Sequence, residues 1–180
     1  MAKMIFYHGT SEAKAKKIIK EGFKLDVKNN WKVKSKKGFI YFSLAYAPFY
    51  AMYNKGDKLA IIKVEVDDED LYPEDDFLMR MLEKPVYTQE ELDAVDFEKY
   101  KPLWEASIAF MGNACAKPEA IKVLGAGYFN GVNLVMKCDP VISPLNYKVM
   151  GQYYRDMTEW LFEGNPIEQF EGDMIGDLND

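Results

Sequence analysis

The chain is poor in the residue types that most often build metal centres, disulfide frameworks and phosphate clamps. Among its 180 residues there is one histidine, His8, two arginines, Arg80 and Arg155, and two cysteines, Cys115 and Cys138. The cysteines are far apart, which excludes a disulfide framework and any cysteine-based metal-ligand spacing. Ten methionines without a cysteine pattern fit a reducing compartment, so a cytoplasmic location is expected. No apolar run approaches the roughly 20 residues that cross a bilayer, and Met1-Ala2-Lys3-Met4 does not open a secretory signal, so no membrane partner is expected. Internal repeats and low-complexity stretches are also missing.

What is present is enough for one full-sized core: the chain is 48% hydrophobic and 14% aromatic. A single domain is expected over 1–165, with 140–165 as an added C-terminal helix and 166–180 as an acidic, partly flexible tail. The net charge of −6 hides an asymmetry. Residues 1–63 hold fourteen lysines against four acidic residues, a net of +10, and the remainder carries −16. A charge run is ordinarily a solvated face. The alternative is that the basic third meets an anion such as a phosphate-bearing ligand or nucleic acid, although the overall acidity argues against broad duplex binding and favours a protein target.

The pattern predicts strands at 4–8, 39–43 and 58–66, the last a β-branched run that reads as central. Helices are predicted at 12–20, ended by Gly22; at 44–53, with Pro48 in the first turn; at 77–83; at 89–95, capped by Thr88 with Glu91 completing a capping box; at 97–110, stopped by Gly112; and at 149–163, with Met150, Tyr153, Tyr154, Met157, Trp160 and Leu161 on its apolar face. Residues 26–37 read as a basic loop, 67–76 as an acidic surface turn, 114–116 as a short strand, 118–121 as a turn or short helix, and 121–128 and 132–138 as two further strands.

Two segments stand out. In Tyr7-His8-Gly9-Thr10-Ser11 a histidine follows a strand and precedes a helix, where ligand groups are commonly presented. As a structural residue His8 is one buried imidazole with a backbone partner. As a site residue it gains from its neighbours: Gly9 permits close approach to the backbone, and Thr10 and Ser11 bring hydroxyls to a helix N-terminus. In Gly38-Phe39-Ile40-Tyr41-Phe42-Ser43, Tyr41 is either core packing or one of several aromatics, with Tyr46, Phe49, Tyr50 and Tyr53, able to grip a flat ring. Together the two segments suggest a nucleotide pocket.

The order His-Gly-Thr, helix, Gly-Phe, basic loop, then Gly-x-Ile-Tyr-Phe-Ser and an aromatic helix resembles the ADP-ribosyltransferases. The closest resemblance is to the branch of diphtheria toxin and poly(ADP-ribose) polymerase, whose signature is His, Tyr and Glu. It covers residues 4–66 well, is topological to about 138, and does not extend over 140–180. The resemblance implies an α+β fold of split antiparallel β-sheets with flanking helices, and NAD as substrate. His8 would hold the nicotinamide-side ribose hydroxyl, Gly9 the carboxamide, Tyr41 and Tyr50 the two faces of the ring, with Thr10, Ser43 and Lys36 beside them. A serine of the family is matched here only by Ala45 and Ala47.

The glutamate that the family places on a later strand is missing from Gly112-Asn113-Ala114-Cys115-Ala116-Lys117. Asn113 is the nearest polar occupant, and Glu105 and Glu119 flank it; Asn113 and Glu105 are the candidates for the catalytic position. An asparagine can hydrogen-bond a ribose hydroxyl but brings no charge. Two readings follow: an NAD-dependent mono-ADP-ribosyltransferase, of a kind that suits a phage or bacterial effector acting in host cytoplasm, or a nucleotide- or protein-binding module that keeps the fold without the reaction. Transfer of an RNA 2′-phosphate to NAD, hosted by a related fold, uses further histidines and arginines that this chain lacks. Lys32, Lys34, Lys36 and Lys37 would replace them only as flexible point charges.

Overall fold

The β-branched run Lys58–Asp67 forms β3, a long strand buried on both faces through Leu59, Ala60, Ile61, Ile62, Val64 and Val66. Around it a computed structural model, which describes residues 1–25, 35–54, 56–131 and 147–171, arranges the remaining strands. They are β1 (Lys3–Ser11), β2 (Ile40–Ser43), β4 (Tyr72–Pro73), β5 (Asn113–Ala116) and β6 (Lys122–Asn130). All pairings are antiparallel and the order is β4-β5-β2-β1-β3-β6. Helices cover both faces, so the architecture is α+β, as the sequence predicts.

The helices are α1 (Glu12–Glu21), α2 (Ala47–Ala51), α3 (Asp75–Met81), α4 (Gln89–Asp93), α5 (Phe97–Tyr100), α6 (Trp104–Met111) and α7 (Tyr147–Phe162). On one face α1 and α6 close a core around Phe6, Ala15, Phe42, Ile62, Val64 and Leu71. On the other, α2 and α7 close a second core around Tyr46, Ala47, Ile61, Phe129, Tyr154 and Met157. The inward stripe of α7 is the predicted one, although Trp160 is only half-buried and donates its indole N–H to Pro166 O. Gly127 of β6 lets α7 lie close, since a Cβ there would come within 2.6 Å of the Leu161 side chain. A third, smaller cluster holds Tyr72, Leu78, Phe97 and Cys115 under α3 and α5.

Local chemistry sets several boundaries. Ser11, rather than Thr10, caps α1 by accepting Lys14 N–H at 3.3 Å. Thr88 and Glu91 form the predicted capping box of α4. Gly112 ends α6 at φ 73°, a left-handed cap that a side chain would disfavour. Two expectations need correction. The helix predicted over 97–110 is broken into α5, a 3-10 turn at Lys101–Leu103 and α6, because Pro102 supplies no amide to continue the ladder. Residues 67–76 are not a surface turn: Leu71, Tyr72, Pro73, Glu74 and Asp75 are all buried, and β4 pairs with β5. The basic loop over 26–34, with Lys32 and Lys34, the strand at 132–138, Cys138 and the tail from 172 lie outside the described residues. Among those described, no helix is long and apolar enough to cross a membrane.

Candidate functional site

The sheet has a seam. β1 pairs with β3 along its whole length, from Lys3 opposite Asp67 to Ser11 opposite Leu59, but with β2 at one position only, Tyr7 opposite Ser43. Beyond that pair the two strands part. Leu44 gives its N–H to Gly112 O on the β5 side at 2.8 Å. Peptide groups alternate in direction along a strand, so those of Ser43 and Tyr41 point toward β1. The same alternation on β1 turns the N–H and C=O of Gly9, two residues on from Tyr7, toward β2, where pairing has stopped.

His8 stands at the mouth of this opening. Its Nδ1–H donates to the Tyr41 carbonyl at 2.7 Å, and its ring meets Phe23 edge-on at 5.1 Å. A carbonyl only accepts, so the neutral ring carries its proton on Nδ1 and presents Nε2 as an acceptor. Burial, partly opposed by the Tyr41 carbonyl, holds the imidazole pKa below its ordinary value, which keeps it neutral. Nε2 has no partner among the described residues. Gly9 has a packing duty as well: a Cβ there would lie 2.0 Å from Ala47 O and 2.5 Å from Ala51 N, so α2 rests directly on it. Thr10 is buried one residue further along the strand, opposite Ala60.

On the other side of the seam, Tyr41 sits in the small cluster with Tyr72, Leu78, Phe97 and Cys115. Its hydroxyl donates to Asp75 Oδ1 at 2.6 Å, and Asp75 Oδ2 accepts Lys36 N–H at 3.0 Å. Lys36 therefore meets the site with its backbone. Its ammonium donates to Asp93 O at 2.7 Å and Val95 O at 2.8 Å, at the end of α4, and lies over the Phe97 ring. Ser43 is fully buried and its Oγ accepts Ala45 N–H and Tyr46 N–H, shaping the turn into α2.

Asn113 faces Ser43 across the β2–β5 pair and is 6% exposed. Its Nδ2 donates to the Tyr50 hydroxyl at 2.7 Å, and its Oδ1 is the one buried side-chain polar atom without a partner among the described residues. Its backbone carbonyl accepts Ser107 O–H at 2.9 Å, and Ser107 Oγ accepts Glu74 N–H at 3.0 Å. Glu74, 6% exposed, caps α3 with both carboxyl oxygens, which accept Phe77 N–H at 2.9 Å and Asp76 N–H at 3.0 Å. Burial pushes Glu74 up to about 7 and Asp75 up to about 6. The same desolvation raises the Tyr41 and Tyr50 hydroxyls and the Cys115 thiol.

The fold thus gathers Tyr41, Ser43, Tyr50 and Asn113 on one side of the seam and His8 and Gly9 on the other. It does not bring in Glu105, which is exposed on α6, or the Lys36 ammonium. Sequence reasoning missed Glu74, Asp75 and Ser107. The available signal was the apolar flanks of the acidic run: Leu71-Tyr72-Pro73 before it, and Phe77-Leu78 three and four residues after Glu74, where an N-cap acid puts its own inward face. Comparisons with protein families, with curated proteins and with solved structures found no match to this chain.

Proposed function

We propose that this chain binds NAD in the opening between β1 and β2 and transfers ADP-ribose from it to a protein, as a mono-ADP-ribosyltransferase. The observation that carries the reading is the Gly9 backbone, with N–H and C=O turned into the opening beside the Nε2 acceptor of His8. A primary carboxamide needs one acceptor and one donor, and a single outward-facing residue of a strand supplies both. Nε2 accepts a ribose hydroxyl proton. The orphan Oδ1 of Asn113 accepts another O–H or N–H, and such an acceptor costs stability until it is filled.

In this reading the chain supplies orientation more than covalent chemistry. The bond from ribose C1′ to the positively charged nicotinamide nitrogen breaks, its electron pair leaves with neutral nicotinamide, and a nucleophile of the target forms the new bond to C1′ and gives up its proton to solvent. Holding ring and ribose at fixed angles lowers the entropic part of that barrier. The packing of α2 on Gly9 and the Tyr50–Asn113 bond tie the two sides of the opening into one geometry.

The test combines calorimetry with NAD and incubation with labelled NAD and cell lysate. Expected outcomes are NAD binding, nicotinamide release and labelled protein, with release reduced at least about tenfold in His8→Ala, as for loss of a positioning contact. No NAD binding by the native chain overturns the reading. A second reading, a nucleotide-binding module without transfer, is favoured by the neutral amide of Asn113 and the exposed position of Glu105. NAD binding without nicotinamide release would select it.

A further inference from the structure

We infer that the outer face of α1, with the adjoining part of β6, docks a segment of a partner protein in which acidic residues alternate with apolar ones. The inference goes beyond the NAD reading and does not depend on it. From Glu12 to Lys24 the chain holds five lysines against two glutamates, Glu12 and Glu21. Both glutamates are already engaged, Glu12 by Lys16 at 2.6 Å and Glu21 by Lys24. Lys17 and Lys20 are exposed and form no ion pair among the described residues. Lys20 stands one turn on from both Lys16 and Lys17, and like charges at these spacings oppose a helix. The helix is held instead by its packing, through Ala15 and Ile18, and an anionic partner would relieve the repulsion on its outer face.

A second observation is apolar. Ile19, one turn on from Lys16, is 48% exposed, and the Lys16 ammonium lies over the ring of Tyr128 on β6, itself 40% exposed, at 5.7 Å from its centre. Cationic and apolar groups thus interleave where α1 meets β6. Charge complementarity calls for an anion, and the exposed Ile19 and Tyr128 call for one that carries apolar side chains. A nucleic-acid strand fits less well. It would find one aromatic ring, already under an ammonium, and nothing to pair with the aliphatic Ile19, while the net charge of −6 repels a long polyanion. A bilayer also fits less well, because α1 turns its Ala15 and Ile18 stripe into the protein core. At the far flank of the helix Lys14 acts electrostatically on His8, so the face extends from β6 toward the mouth of the opening. A protein held on it lies beside the proposed site.

Fluorescence anisotropy on the full chain tests this with a labelled peptide that alternates glutamate with leucine and phenylalanine. Its glutamine counterpart, oligothymidine and phosphatidylserine vesicles serve as comparisons. The glutamate peptide is expected to bind at least about tenfold more tightly than the glutamine one, as for several exposed charge pairs together, and to weaken as salt rises. The double variant Lys17→Gln, Lys20→Gln should lose about fivefold in affinity, as for two exposed charge pairs, with a shallower salt dependence. The double variant Ile19→Gln, Tyr128→Ser should lose about threefold with the salt dependence kept, because it removes apolar contact and no charge. Both variants change exposed side chains, so their thermal midpoints and NAD affinities should match the native chain's. No binding of the glutamate peptide, or equal binding of its glutamine counterpart, overturns the inference and leaves the NAD reading standing. Binding that neither variant weakens overturns it as well. Tighter binding of oligothymidine or of the vesicles assigns the face to a nucleic acid or a membrane and overturns it too. So does self-association in sedimentation that the lysine variant abolishes, since the face then belongs to a second copy.

Discussion

At the level of single residues, two positions show how closely stability and the site are joined. Gly9 is where α2 touches β1, and a methyl group there would sit 2.0 Å from Ala47 O. The obstacle is backbone on both sides, so relief requires moving the helix. Gly9→Ala should therefore cost about 3 kcal/mol, the upper end of ordinary overpacking, read as a lower urea midpoint at unchanged slope. A loss under about 0.5 kcal/mol would mean that α2 is not seated as described. Glu74 acts through its proton. Its folded value of about 7 lies above its ordinary 4.5, so the native state holds the proton more tightly than the unfolded chain does. Stability from this group is then full at low pH and declines as pH rises from about 4.5 to 7, with nothing further lost above. His8 has the opposite sign, because its folded value lies below 6.5 and its share rises with pH. Comparing native chain with Glu74→Gln cancels the histidine. The variant's stability relative to the native chain should grow between pH 5 and 8 by on the order of 3 kcal/mol, at 1.4 kcal/mol per unit. A difference that stays flat with pH in denaturant titrations would refute the buried acid.

At the level of elements, the parts legible in the sequence are those that short-range chemistry decides. The β-branched run of β3, the Thr88–Glu91 capping box and the Gly112 stop each carry their cause within a few residues. The Pro102 break is equally local, but the apolar periodicity of 97–110 continues through it and masks it. Glu74 and Asp75 were not legible, because their burial depends on β4 joining the edge of β5 and on Ser107 of α6 arriving from far along the chain. The same limit applied to Lys36. Its place in a lysine-rich stretch suggested a phosphate contact, yet its ammonium closes the end of α4 on Asp93 O and Val95 O, and its amide holds Asp75. Lys36→Met keeps the amide and removes the ammonium. It should cost about 2 kcal/mol, as for loss of charge-assisted hydrogen bonds to carbonyls, with NAD affinity changed by less than about twofold. Thermal unfolding and calorimetry on the same variant decide between the roles: unchanged stability with strongly weakened NAD binding would make Lys36 a ligand contact after all.

At the level of the whole molecule, the seam divides the sheet into unequal parts. β1, β3 and β6 pair over long stretches, whereas β2, β5 and β4 are short and join β1 through Tyr7 and Ser43 alone. The smaller part is held to the larger by that pair, by the His8–Tyr41 bond, by the shared core in which the Phe6 and Phe42 rings meet at 4.7 Å, and by α2, which rests on Gly9 and reaches Asn113 through Tyr50. With so few ladder bonds across the seam, the smaller part should open at lower free energy than the larger. The proposed ligand would touch both sides, His8 and Gly9 on one and Asn113 on the other. Binding therefore adds its free energy to the weaker part, about 2.7 kcal/mol at a hundredfold excess over Kd. In native-state hydrogen exchange, the amides of β2 and β5 should exchange faster than those at the centre of β1 and β3 without ligand. With NAD in hundredfold excess they should slow by about a hundredfold, where each 1.4 kcal/mol is a factor of ten. Uniform protection of all the strands, unchanged by NAD, would show that the sheet behaves as one body and that the opening between β1 and β2 is not where the ligand acts.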